Sequence, residues 1–252
     1  MDRDPSDVNA EPSSPPEKRG RLFVVATPIG NLLDVTLRAL EVLRRADLIA
    51  AEDTRRTRTL MAAHDLSGRL VSYHEHNERA RAPSLLDALE RGLFVALVSD
   101  AGSPLISDPG YHLIQGARDR AIPVEIVPGP SAVIAALQAS GFTADRFVFH
   151  GFLPRTSGRR DALLEQIALD PRTHVVFETP HRILRTLEAM VRFLGDRPSV
   201  LCRELTKLHE EVLRGSSREI LETVAARPRK GEMVLVVGPE RKDRGGRRPV
   251  TS

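Results

Sequence analysis

The chain has 252 residues, enough for one large domain or two small ones, and 41% of them are hydrophobic, enough to build a core. Its formal charge is +3, but the segment 239–252 alone carries +3 and 1–21 carries −1, so 22–238 holds only +1 and the high pI is no argument for nucleic acid. A single cysteine, Cys202, excludes a disulfide framework and a cysteine-based zinc site within one chain, and no apolar run reaches the roughly 18 residues of a membrane helix.

Residues 1–21 are polar and proline-rich, with no apolar segment of the kind a secretory signal needs. They read as a disordered tail, and the protein as cytoplasmic. From Leu22 the texture changes. LFVVA (22–26) is a buried strand run, and VTLRALEVLRRA (35–46) places Leu37, Leu40 and Leu43 at helical spacing. LIAAE (48–52) is a second strand, TRRTRTLMAAHD (54–65) a basic helix or turn, and RLVSYH (69–74) a third strand. PSLLDALERG (83–92) is a helix, FVALVSD (94–100) a buried strand, and the next helix is opened by Pro109. VEIV (124–127) is a fifth strand, followed by a helix that Gly141 stops. Strand and helix alternating five times predict an α/β domain over 22–141: a mostly parallel sheet with helices on both faces.

A second α/β domain, with a mixed sheet and helices, is expected over 142–238. RFVFHGFLP (146–154) reads as a strand or linker, DALLEQIA (161–168) as a helix, HVVFE (174–178) as a strand and HRILRTLEAMVRFLG (181–195) as a helix. SVLCREL (199–205) and EMVLVVG (232–238) are strands. Ser216 followed three residues later by Glu219 forms a capping box that opens the last helix. Residues 239–252 read as a basic disordered tail.

Chemistry in an open α/β sheet gathers beyond the carboxyl ends of the strands. There stand TPIGN (27–31), SDAGSPLISDPG (99–110) and PGPSA (128–132), rich in Gly, Pro and small hydroxyl residues. Glycine lets a ligand approach the main chain, and one of these loops is far longer than the usual connection of about 2–6 residues. Neither a G-x-G-x-x-G after the first strand nor a P-loop is present, which disfavours a dinucleotide or a nucleoside triphosphate. Glu52 and Asp53 end a strand and precede Arg55, Arg56 and Arg58; Arg155, Arg159 and Arg160 form a second basic cluster. Glu178, His181 and Arg182, and Arg203, Glu204 and Lys207, follow short apolar strands and are placed to face an inter-domain cleft. His74 and His76 would share one face of a continuing strand and offer two metal ligands, the weakest of the readings. No G-x-S-x-G is present, and Cys202 sits in an apolar run as a core residue.

TPIGNL (27–32), AEDTR (51–55), SDAGSPLISDPG (99–110), PGPSA (128–132), GFLP (151–154) and RELTK (203–207) occur together in one order and spacing. Over about residues 22–238 the chain resembles the tetrapyrrole-methylase superfamily, and within it the branch that methylates ribose in small-subunit ribosomal RNA. The resemblance implies a homodimer, with S-adenosylmethionine bound in a cleft between two α/β domains. It implies methyl transfer to the 2′-hydroxyl of a cytidine in the decoding region of 16S rRNA, with the assembled small subunit as substrate and neither a membrane nor a metal involved. The cofactor-binding positions it implies are Pro28, Asp100, Ala101, Gly102, Ser103, Ile106, Ser131 and Ala132. The helix after PGPSA and the linker 149–154 would close over the adenosine. Tetrapyrrole-making relatives carry G-D-P where this chain has Gly102, Ser103 and Pro104, which argues against a porphyrinoid substrate.

A ribose hydroxyl is a poor acid, so a proton acceptor is expected among Glu178, Lys207, Glu52 and Asp53, with the first two ranked ahead. Arg55, Arg56, Arg155, Arg159, Arg160, His181, Arg182 and Arg203 are the RNA-binding candidates, since arginine forks onto phosphate. A methyltransferase of a tetrapyrrole precursor and a non-catalytic RNA-binding relative stay open as alternatives.

Overall fold

The computed structural model describes residues 20–239. Apart from Gly20, Arg21 and Pro239, the two expected tails lie outside the described residues. The packing forms two units. The first holds 20–26 with Thr36–Pro128, and the second holds Thr27–Val35 with 129–239.

In the first unit, β1 (Arg21–Val25), β2 (Leu48–Ala51), β3 (Leu70–Ser72), β4 (Phe94–Val98) and β5 (Val124–Val127) form one sheet in the order β3-β2-β4-β1-β5. Every pairing is parallel. The central strands are short apolar runs because both faces are covered. Leu22, Leu48, Ala50, Val95 and Leu97 share one face and pack on α3 (Glu78–Glu90) and α4 (Tyr111–Asp119). The opposite face meets α1 (Leu37–Arg45), which buries Ala39, Val42 and Leu43, and α2 (Thr54–Ala63), whose Met61 lies beside Ile49. Thr36 caps α1 by accepting from the Ala39 N–H at 3.1 Å, and Asp53 caps α2 by accepting from the Arg55 N–H at 2.9 Å.

Two boundaries here differ from the sequence reading. α3 begins at Glu78, with Pro83 inside it rather than at its start. The stretch ERARA offers no apolar spacing to read, yet Ala82 is buried beneath it. α4 opens after Gly110, whose φ of +141° only glycine takes easily, and not at Pro109.

The second unit has the sheet order β6-β7-β10-β8-β9, from β6 (Phe147–Phe152), β7 (Thr173–Glu178), β8 (Pro198–Arg203), β9 (Glu211–Ser216) and β10 (Met233–Val237). β6 and β7 are parallel and the other pairings antiparallel, so the sheet is mixed as expected. β9 escaped the sequence reading, because EVLRGS offers only two apolar side chains, Val212 and Leu213, and they are adjacent rather than alternating. One face packs on α6 (Ser157–Leu169), α7 (Ile183–Leu194) and α8 (Ser217–Ala226). The capping box of Ser216 and Glu219 is present at the start of α8.

The other face, through Val175, Val200, Cys202, Val234 and Val236, packs on α5 (Ala132–Ser140). Gly141 ends α5 in the left-handed conformation, φ +68°. Sequence order alone places α5 in the first domain. It belongs to the second unit because Val133, Ala136 and Leu137 bury on that unit's sheet.

Candidate active site

In the first unit, β2 stops at Ala51 and β4 at Val98, and these two residues are register partners. The turns that follow therefore lie side by side. The Asp53 N–H donates to Asp100 Oδ1 at 2.8 Å, and the Asp100 N–H donates to Glu52 Oε2 at 3.3 Å. Arg56 Nε stands 3.5 Å from Asp100 Oδ2. Glu52, Asp53, Asp100 and Arg56, separated by up to 48 positions in the chain, thus form one cluster.

The two acids after β2 differ chemically. The Arg55 guanidinium grips the Asp53 carboxylate with contacts of 2.6 to 3.2 Å, and with the Arg55 backbone N–H it holds that carboxyl well below the usual range. Asp53 is a helix cap and a poor base. Burial pushes the Glu52 carboxyl up and the Asp100 charge adds to this, against the Asp100 N–H bond and the charges of Arg56 and His74.

Nearby, the expected strand face of His74 and His76 does not exist. β3 ends at Ser72, and residues 75–77 turn toward α3. The His74 N–H donates to Asn77 Oδ1 at 2.8 Å, and His74 Nε2 lies 3.2 Å from Asn77 Nδ2. His74 Nδ1 is buried without a hydrogen-bond partner. Among the described residues no three His, Cys, Asp or Glu side chains gather as a metal-ligand set.

The long loop after β4 is tightly wound. Ser99 Oγ donates to the Gly102 carbonyl at 3.2 Å, Gly102 has φ +82°, and Leu105 and Ser107 take φ of +72° and +67°. Two non-glycine residues in the left-handed region within three positions store strain of the kind that collects at binding sites. Gly102 and Pro104 are buried, Ala101 and Ser103 half-buried, and Ile106 exposed.

In the second unit, the loop carrying buried Pro28 packs on the segment after β8. A Cβ on Gly30 would lie 2.5 Å from Lys207 Cγ and 2.8 Å from the Leu205 carbonyl oxygen. The Asn31 N–H donates to Thr206 Oγ1 at 3.1 Å. TPIGN and RELTK both stood out in the sequence, but nothing there paired them. Lys207 Nζ donates to Glu204 Oε1 at 2.9 Å and Glu232 Oε2 at 2.8 Å. Burial works against its charge, but these two carboxylates outweigh it and hold the ammonium above its ordinary range. Lys207 is thus a cationic strut under the loop and not a base. Ser131 precedes α5 without capping it, and Ala132 opens the helix; both are half-buried.

Glu178 is buried at the end of β7. Its Oε1 accepts from Thr186 Oγ1 at 2.7 Å and lies 3.5 Å from Arg182 Nη2, and its Oε2 accepts from the Thr179 N–H at 2.8 Å. Both oxygens serve the β7–α7 turn. Among the basic candidates, Arg203 is spent on Glu211 and the carbonyls of His209 and Lys230. Arg160 pairs with Asp161, Arg55 with Asp53, and Arg182 donates to the Leu153 carbonyl. Arg155, Arg159 and His181 are exposed, with no ion pair recorded for them among the described residues.

Comparison with known proteins shows what the chain is similar to. The sequence profile of the tetrapyrrole (corrin/porphyrin) methylases matches residues 21–221. A protein of Escherichia coli O157:H7 named ribosomal RNA small subunit methyltransferase I is 51% identical over 223 residues, covering 87% of this chain and 78% of that one. Its namesake in Mesorhizobium japonicum is 48% identical over 236 residues, covering 93% and 79%. Among solved structures, uroporphyrin-III C-methyltransferase from Thermus thermophilus in complex with S-adenosylhomocysteine superposes with a TM-score of 0.61 at 21% identity, covering 86% of this chain and 97% of that one.

Proposed function

Because the chain belongs to the tetrapyrrole (corrin/porphyrin) methylase family, we propose that it is an S-adenosylmethionine-dependent methyltransferase of small-subunit ribosomal RNA, acting on the ribose 2′-hydroxyl of a cytidine in the decoding region of 16S rRNA. The observation that carries the substrate is the 51% identity over 223 residues to a small-subunit rRNA methyltransferase. The tetrapyrrole-precursor reading has behind it the family's general description and a fold likeness near 21% identity, with no relative of comparable identity. Action on the assembled subunit, as a homodimer in the cytoplasm, belongs to the same proposal.

The residues fit the cofactor by their chemistry. S-adenosylmethionine carries a net positive charge, and the first unit offers it the Asp100 carboxylate, the strained backbone of residues 101–107 and the unpartnered His74 Nδ1. Pro28, Ser131 and Ala132 are its candidate holders in the second unit. When bound, the cofactor supplies an electrophilic methyl group.

The protein's own task is to position the acceptor hydroxyl and take its proton. Of the four acceptor candidates, Asp53 is locked to Arg55, Lys207 is held protonated, and Glu178 is enclosed by Thr179, Thr186 and Arg182. Glu52 remains. It is half-buried and, among the described residues, accepts one recorded hydrogen bond, of 3.3 Å; its carboxyl is shifted toward neutrality, where a base works best. This reverses the ranking drawn from sequence, which favoured the second-domain pair.

The test is transfer of labelled methyl from S-adenosylmethionine to small subunits from cells lacking the gene, followed by nucleoside digestion. Label in a ribose-methylated cytidine supports the proposal. Bound cofactor with no label in RNA overturns it.

A further inference from the structure

The parallel pair of the second sheet has its own carboxyl edge, and the family's cofactor loops do not account for it. β6 is an edge strand. Its register against β7 shifts between Phe149 and Phe152, at Gly151 with φ +62°. A shift of this kind re-aims a side chain. It brings Phe149 and Phe152 both onto Phe177 of β7, with ring centroids 4.9 and 5.7 Å away and interplanar angles of 68° and 63°. Phe149 is half-buried, but Phe152 keeps 47% of its surface exposed at the end of this aromatic row.

The chain leaving these two strands is basic through the first turns of α6 and α7; Asp161 and Glu178 at its margins pair with Arg160 and Arg182, which leaves Arg155 and Arg159 outside the ion pairs seen among the described residues. Residues 151–160 contain Arg155, Arg159 and Arg160; residues 179–187 contain His181, Arg182 and Arg185; neither stretch contains Asp or Glu. The Arg182 guanidinium donates to the Leu153 carbonyl, which ties the start of α7 to the residue beside Phe152. Leu153 is buried, so the loop is anchored there and Arg155 stands three residues from the exposed ring.

A flat aromatic face bordered by unpaired arginines is the arrangement that binds single-stranded nucleic acid: bases stack on the ring and the arginines take the phosphates. The same positive surroundings disfavour the cationic cofactor. We propose that Phe152 is a stacking platform for an unpaired base of the RNA substrate, with Arg155 and Arg159 holding the adjoining phosphates. The assignment rests on the RNA reading above and departs from the expectation that the linker 149–154 closes over adenosine.

The experiment titrates the full-length protein with a single-stranded, cytidine-containing RNA oligonucleotide and, separately, with S-adenosylmethionine. Phe152→Ala should weaken RNA binding about tenfold or more, within the range that loss of one stacked base produces. Its affinity for S-adenosylmethionine should match the wild type. Phe152→Trp should keep RNA affinity. Phe152→Leu, which preserves apolar packing on Phe177, should fall with the alanine variant. Wild-type RNA affinity in the leucine variant overturns the proposal, and so does a loss of cofactor affinity in the alanine variant, which would put adenine on the ring. The underlying reading fails by a different signal, namely wild-type protein that transfers no methyl to RNA.

Discussion

Glu52 shows how two neighbouring carboxylates acquire opposite characters. Asp53 is saturated by a guanidinium and a helix N-terminus, while Glu52 is partly buried and meets a neighbouring acid. If Glu52 takes the substrate proton, Glu52→Gln lowers turnover about 100-fold and leaves cofactor affinity within a few-fold. The wild-type rate should rise with pH along a limb that the glutamine variant lacks, centred above the usual carboxylate range. Stability moves the other way. A carboxyl whose pKa is raised by folding opposes folding once the pH exceeds its unfolded value. Glu52→Gln should therefore melt slightly higher than wild type at pH 7, and that gain should vanish in acid; a lower melting temperature at pH 7 would contradict the assignment. Nothing in AEDTR distinguishes its two acids, because the difference comes from the partial burial of Glu52 and from which carboxylate the Arg55 guanidinium grips, and neither is visible in the sequence. Arg197 was equally illegible. It is buried and donates to the carbonyls of Ile167, Asp170, Arg172 and Gly238, yet it lies in a short polar connection that carries no motif.

Strands and helices were read from spacing where their apolar faces are continuous, as in β4, β10 and α1. Reading failed where partners replace periodicity. β9 is held by its ladder to β8, and the first turn of α3 by His74 and Asn77 carbonyls. Loops were legible as composition but not as contacts. The seating of TPIGN against Leu205, Thr206 and Lys207 depends on the missing side chain at position 30. Gly30→Ala must push aside a lysine stem and a backbone carbonyl, at a cost of about 1–3 kcal/mol in thermal or denaturant unfolding. If that loop holds the cofactor through Pro28, affinity for S-adenosylmethionine should fall by about tenfold or more. Thr206→Val, which removes the acceptor for the Asn31 N–H, should fall in the same direction by less. Unaltered cofactor binding in both variants would separate the loop from the site.

At the scale of the whole molecule, the alternation of strand and helix sufficed to read two α/β layers, one parallel and one mixed. It did not show that residues 27–35 leave the first unit and pack in the second, since that depends on side-chain fit. Charge is modest in total and concentrated locally. RNA affinity should therefore be far more sensitive to salt than cofactor affinity. With about four phosphate contacts on a single strand, doubling the salt weakens RNA binding roughly sevenfold, while calorimetric titration of S-adenosylmethionine changes little. Equal sensitivity of the two would remove the basic edge of the second unit from the RNA interface.

The excursion of 27–35 also sets a timetable. Asn31 and its Thr206 partner are 175 residues apart. At a ribosomal rate of about 5–20 residues per second, Asn31 leaves the peptidyl-transferase centre roughly 9–35 seconds before Thr206 is made. Residues 20–26 and 36–128 have all their sheet partners by then, so the first unit can form on the ribosome with this segment still waiting. The TPIGN loop acquires its seat only when the chain is nearly finished, which makes truncated chains incapable of completing it however well their first unit folds.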